Sequence, residues 1–161
     1  MKKDRLFIGI DSGTQGTKAV VLSEASGGVI GEGYSGYDLI ENHNGGREQD
    51  PQIWLEACRK ILKEVLAQPE VDATLVCGIG VSGQQHGMVP LDEGGKVIRP
   101  AKLWCDTETV EQCKTLTEKL GGEKAVDKLI GNQIAVGFTA SKILWMKEKE
   151  PKNYEKLDCV L

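Results

Sequence analysis

The stretch Phe7–Leu22, FIGIDSGTQGTKAVVL, limits what this chain can fold into more than any other. Two short apolar runs, Phe7–Ile10 and Ala19–Leu22, flank the turn Asp11–Ser12–Gly13–Thr14–Gln15–Gly16–Thr17–Lys18. Apolar runs on either side of small and hydroxyl residues predict a β-hairpin. Gly13 and Gly16 lack a Cβ, so the backbone there can take positive φ and press close to a ligand. Successive N–H groups in such a bend form a concave nest suited to phosphate oxygens. Asp11 ends the first strand and brings a carboxylate to the same space. An acid beside phosphate donors makes chemical sense when a divalent cation lies between them. The plainer alternative is a hairpin that needs two glycines and a polar tip only to turn.

Neither common phosphate loop is present. The sequence contains no G-x-x-x-x-G-K-[ST] and no G-x-G-x-x-G between a strand and a helix, so a hairpin rather than a helix N-terminus would cradle the ligand. At 161 residues the chain has room for one ordinary domain with a real core. A net charge of −4 argues against a nucleic-acid surface. The basic start, Lys2–Lys3–Arg5, is interrupted by Asp4 and reads as solvated. No window approaches the roughly 18 apolar residues of a membrane span, and no signal-peptide core opens the chain. Five cysteines without C-x-x-C spacing predict free, mostly buried thiols and a cytoplasmic protein.

Beyond the hairpin, Val29–Tyr37 reads as a third strand, completing an antiparallel meander. Glu41–Gln49 reads as a polar loop in which His43 is solvated. Asp50–Pro51 opens a helix whose apolar positions run Ile53, Trp54, Ala57, Cys58, Ile61, Leu62, Val65 and Leu66. Leu75–Val81 predicts a buried strand parallel to the first, because a helix connects the two. Ligands of open α/β sheets sit beyond the carboxyl ends of parallel strands. Gln84, Gln85 and His86 would therefore emerge at the edge that also carries Asp11. Later, Asp106 or Thr107 is expected to cap a helix with an apolar stripe at Val110, Cys113, Leu116 and Leu120. A shorter helix, Lys124–Ile130, ends at Gly131, and a last one starts at Thr139 or Ser141 and stops before Pro151. Cys159–Leu161 reads as the start of a further apolar strand.

The order β-β-β-α-β with its D-x-G-T hairpin resembles the ribonuclease-H-like fold of the actin, sugar kinase and Hsp70 ATPase superfamily. Four later motifs narrow the resemblance: Glu48–Gln49–Asp50–Pro51 with Trp54, Gly78–Gly87 (GIGVSGQQHG), Leu103–Trp104–Cys105–Asp106, and Gly131–Asn132–Gln133 followed by Gly137–Lys142. Together, and in this order, they are similar to the FGGY carbohydrate kinases, most of all their xylulokinase branch, along essentially the whole chain. The resemblance implies an α/β fold with a mixed sheet and ATP-dependent phosphorylation of a ketose, D-xylulose first among them. It implies ATP and magnesium as cofactors, with Asp11 by the metal and Thr14, Gln15, Gly16 and Lys18 lining the nucleotide phosphates. Gln85 and His86 would hydrogen-bond ketose hydroxyls, Trp104 would lie against the sugar's carbon face, and Asp106 would accept from a hydroxyl.

Taken singly, His86 is as well read as a satisfied buried histidine, Trp104 as core and Asp106 as a helix cap. Members of the family also carry a second large domain with the adenine site and a catalytic-base aspartate. Neither is found in these residues, so residues 1–161 are expected to form the first part of an N-terminal domain and to be inactive alone. Two other classes are weighed: a sugar-binding sensor without turnover stays open from the residues, while the polar Gln84–His86 loop and Trp104–Asp106 argue for a sugar pocket over an actin- or Hsp70-like ATPase. The sugar is the expected small-molecule partner, and a homodimer is left open.

Overall fold

Residues 4–161 are described by a computed structural model; Lys2 and Lys3 of the basic start lie outside the described residues. The chain divides into two units, one of residues up to Asp38 with Gln52–Gln84, the other of Leu39–Pro51 with Gln85–Leu161.

In the first unit, β1 (Leu6–Ser12) and β2 (Gly16–Ser23) form the expected hairpin, and β3 (Val29–Gly36) completes the meander. The helix α1 (Pro51–Leu66) leads to β6 (Val76–Gly83), which pairs in parallel with β1. The resulting sheet has the order β3-β2-β1-β6. Alternation along β1 and β2 puts Leu6, Ile8, Ile10, Ala19 and Val21 on one face, where they bury against Ile61 and Val65 of α1. Those two helix positions, four apart, belong to the apolar stripe read from the sequence. Close approach of the helix relies on Gly33, because a Cβ there would meet Val65 at 3.0 Å. The Gln68 amide then satisfies the outer strand, donating to the Glu32 carbonyl at 2.7 Å and accepting from the Glu32 N–H at 3.2 Å.

The second unit has little regular sheet. β4 (Ile40–Glu41), β5 (Arg47–Gln49) and β8 (Ala101–Lys102) make one small antiparallel ladder, and β7 (Pro90–Leu91) pairs with β9 (Cys159–Val160) in another. Around these stand α2 (Val110–Lys119), α3 (Glu123–Ile130), α4 (Thr139–Lys149) and the short α5 (Pro151–Tyr154). Gly131 ends α3 at φ 69°, where a side chain would be strained.

Several expectations need correction. The parallel strand β6 is not buried: Ile79 is 56% and Val81 74% exposed. It is an edge strand, and the α1 core gathers on β1 and β2. The ends of the Glu41–Gln49 segment are not loop but the β4–β5 ladder, held around a turn by Asn42, whose Oδ1 accepts from the N–H groups of Asn44 and Gly46. α2 starts at Val110 with Thr109 as N-cap, not Asp106 or Thr107. Its Val110 and Leu120 are exposed, while Gln112 and Cys113 are buried. All five cysteines are free, as expected, yet only Cys113 is buried, and Cys77 and Cys159 are exposed. Among the described residues, no helix is long and apolar enough to cross a membrane.

Candidate functional site

The hairpin connection of the first unit is strapped by two tyrosines. Tyr37 donates to the Gly13 carbonyl at 2.6 Å, and Tyr34 donates to the Gln15 carbonyl at 3.0 Å. Neither Gly13 nor Gly16 has positive φ, so the hairpin does not use that freedom of glycine. Gly16 is needed for another reason: a Cβ there would run into the Tyr34 ring at 2.6 Å. Thr14 Oγ1 donates to Gln84 Oε1 at 3.1 Å, and the Gln84 N–H donates to the Ser12 carbonyl at 3.0 Å, tying the turn to the end of β6.

Asp11 and Lys18 are cross-strand partners and both are exposed. Opposed residues of an antiparallel pair share a face, so the carboxylate and ammonium stand together on the side away from α1. Gly9, Gly80 and Ser82 join them around an open depression. One exposed carboxylate on a glycine-lined surface suits magnesium, which takes one or two protein carboxylates and leaves its other positions to water and substrate phosphates. The donor set therefore fits the cation that the sequence implied.

The second unit holds Gln85, His86, Trp104 and Asp106. Gln85 and His86 are exposed, and Trp104 is 53% exposed, so neither the buried-histidine nor the core-tryptophan reading holds. His86 has φ 59°, a left-handed conformation that costs a non-glycine residue on the order of 1 kcal/mol. Its ring stacks on Phe138, centroids 4.4 Å apart and planes inclined by 14°. Lys142 Nζ donates to the His86 carbonyl and to the Gly137 carbonyl, each at 2.5 Å. Gly137, at φ 94°, lies against the Trp104 carbonyl so closely that no side chain would fit. The segments bearing His86 and Trp104 are thus joined through the start of α4.

Asp106 is fully buried. One carboxylate oxygen accepts from Lys102 Nζ at 2.7 Å and from the Arg47 N–H at 2.9 Å; the other accepts from the Glu108 N–H at 3.1 Å. This engaged carboxylate differs from the open acceptor expected of a sugar contact, and its bonds fix the turn that carries Trp104. Glu48, Asp106 and Glu108 bring carboxylate oxygens within 4.8 Å of one another, a spacing a metal could use. Lys102 Nζ already occupies that role, with Glu108 at 2.6 Å and Glu48 at 3.3 Å as its other partners and the Trp145 ring centroid 4.0 Å away. Arg99 pairs with Glu48 at 2.6 Å beside the same ring.

Sequence reasoning gave no role to Lys102 or Lys142, although both are fully buried. The available signal was a lone charge in an apolar setting: Lys102 between Ala101 and Leu103, Lys142 before Ile143–Leu144–Trp145. Burial lowers the Lys142 ammonium to about 8, with Asp106 opposing that shift and Lys102 adding to it. Burial likewise pushes the Cys105 thiol up.

Residues 6–161 match the family model of the FGGY family of carbohydrate kinases, N-terminal domain. The chain is 46% identical to a xylulose kinase of Haemophilus influenzae over 94% of its own length and 32% of the relative's. It is 40% identical to a xylulose kinase of Bacillus subtilis, over 94% of this chain and 30% of that one. Among solved structures, a xyloylose kinase from Brucella ovis superposes with a TM-score of 0.88 at 33% identity, over 98% of this chain and 32% of that one. The chain therefore spans about a third of the length of the relatives it matches.

Proposed function

The chain belongs to the FGGY family of carbohydrate kinases, and from that premise we propose that it supplies the phosphate-facing hairpin and the sugar-facing loops of an ATP-dependent ketose kinase whose substrate is D-xylulose. The observation that carries the sugar assignment is the exposed set of Gln85, His86 and Trp104 in the second unit. An amide, an imidazole and an indole, all exposed in one unit, suit a polyol, whose hydroxyls need partners while its carbon face stays apolar. The relatives' shared name, xylulose kinase, selects among ketoses.

Phosphoryl transfer asks a protein mainly for positioning and charge neutralisation. Thr14, Gln15 and Gly16 form the turn that lines the nucleotide phosphates, and Lys18 offers a point charge to the phosphoryl oxygens. Asp11 would hold magnesium, whose charge, when bound, would screen the phosphates from an attacking hydroxyl. Gln85 and His86 hydrogen-bond the ketose, Trp104 covers its carbon face, and Asp106 acts through the turn it anchors.

The test is ADP release by the intact protein with magnesium–ATP and a panel of ketoses. The proposal expects sugar-dependent turnover with the highest kcat/KM for D-xylulose. ATP hydrolysis indifferent to sugar, or preference for a different sugar class, would contradict it.

A further inference from the structure

The sugar-facing loop of the second unit depends on a buried ammonium group that offers no exposed surface of its own. Lys142 has no exposed area, and its Nζ bridges the carbonyls of His86 and Gly137. One end of that bridge holds a residue in a left-handed backbone conformation, and the other holds a glycine packed on the Trp104 carbonyl. Phe138, one residue past the bridged glycine, stacks on the His86 ring. A residue with positive φ persists only where its surroundings over-determine it, and here the backbone clamp and the ring stack do so from the same short segment.

We propose that Lys142 is a positioning residue for sugar recognition: its ammonium holds His86 in the left-handed conformation, and thereby sets both the His86 imidazole and the Trp104 segment for the ketose. This deepens the proposed function and rests on it for the identity of the ligand. Backbone carbonyls accept more strongly from an ammonium than from a neutral amine, so the clamp loosens when Lys142 loses its proton. The charged and titratable groups around it are Asp106, Lys102 and Cys105. Asp106 is held by Lys102 and by backbone donors. Burial brings the Lys142 titration down to about 8, within reach of an assay.

The experiment compares the intact kinase with Lys142→Met, reading KM for D-xylulose, KM for ATP and the His86 ring proton resonances, which the facing Phe138 ring shifts. The expected result is a sugar KM raised about tenfold with ATP KM unchanged, since a charge-assisted hydrogen bond is at stake. The His86 resonances should move toward the values of an unstacked histidine. In the native kinase the sugar KM should rise as pH passes about 8. In Lys142→Met it should stay flat across the same range. An equal rise in both KM values, or His86 resonances that do not move, would overturn the proposal. Should Lys142→Met fail to fold, the native pH series decides, and a sugar KM that ignores pH overturns the proposal. Should D-xylulose not be a substrate, the His86 resonances still decide the clamp, separately from the kinase reading.

Discussion

The first unit is held by an aliphatic interior, Leu6, Ile8, Ile10, Val21, Ile61 and Val65, whereas the second buries Lys102, Lys142, Asp106, Arg99 and Gln112. In the first, burial of apolar area does the work, at about 25 cal/mol per Å², and the charged pair Asp11–Lys18 is left on the open side. In the second, the charges are inside. Each must find its partners there, because an unpaired buried charge costs several kcal/mol. The difference teaches where tolerance lies: an aliphatic core absorbs change of shape, while an ion network tolerates loss of a whole set better than loss of one member.

The largest expected effect follows from that asymmetry. Lys102→Met leaves Asp106 and Glu108 without their cation, with only Glu48 keeping Arg99, and should lower stability by about 3–5 kcal/mol in urea unfolding of the intact kinase. Ile61→Ala, in the aliphatic unit, removes a fully buried side chain and should cost about 2–5 kcal/mol. Restoring part of the Lys102→Met loss by neutralising Glu108 sharpens the contrast, since no second substitution of that kind should rescue Ile61→Ala. A loss under about 1 kcal/mol for Lys102→Met would break it.

A smaller effect has a definite sign. Lys142 titrates at about 8 in the fold against 10.5 ordinarily, so between those values the unfolded chain holds a proton that the native one has released. Stability rises with pH wherever the unfolded state binds more protons. The native protein should therefore gain on Lys142→Met as pH climbs through that window, with the penalty for burying the charge fully present below about 8. Urea midpoints of the two proteins at about pH 7 and about pH 9.5 measure it. A gap that is constant, or that moves the other way, would contradict the sign.

The same contrast explains what could be read from sequence. Paired apolar runs around a turn in Phe7–Leu22 and helical spacing in Ile53–Leu66 are local patterns, and such patterns fix strands, a helix and the helix's buried face. The first unit was legible for that reason. β6 was legible as a strand parallel to β1 but not as an edge, because Val76–Gly83 reads equally apolar at either place in a sheet. Gly16 was legible as special, but not the neighbour its missing Cβ admits, Tyr34, which is distant in sequence. In the second unit no period marks a lysine for burial. Lys102 and Lys142 gain their meaning from partners on other segments, Glu48 at one and the His86 carbonyl at the other. A lone charge among apolar neighbours marks such a position, but the long-range contacts that satisfy it leave no periodic pattern.

The account assigns phosphate handling to the hairpin and sugar recognition to the second unit, and calorimetric titration of D-xylulose into the nucleotide-free intact kinase tests that division most directly. His86→Ala should weaken ketose binding roughly five- to 150-fold, the range for leaving a sugar hydroxyl unpaired in a closed site. Asp11→Asn should bind D-xylulose as the native protein does while losing turnover by orders of magnitude. Native-like ketose affinity in His86→Ala, or a loss in Asp11→Asn as large as that in His86→Ala, would contradict the division.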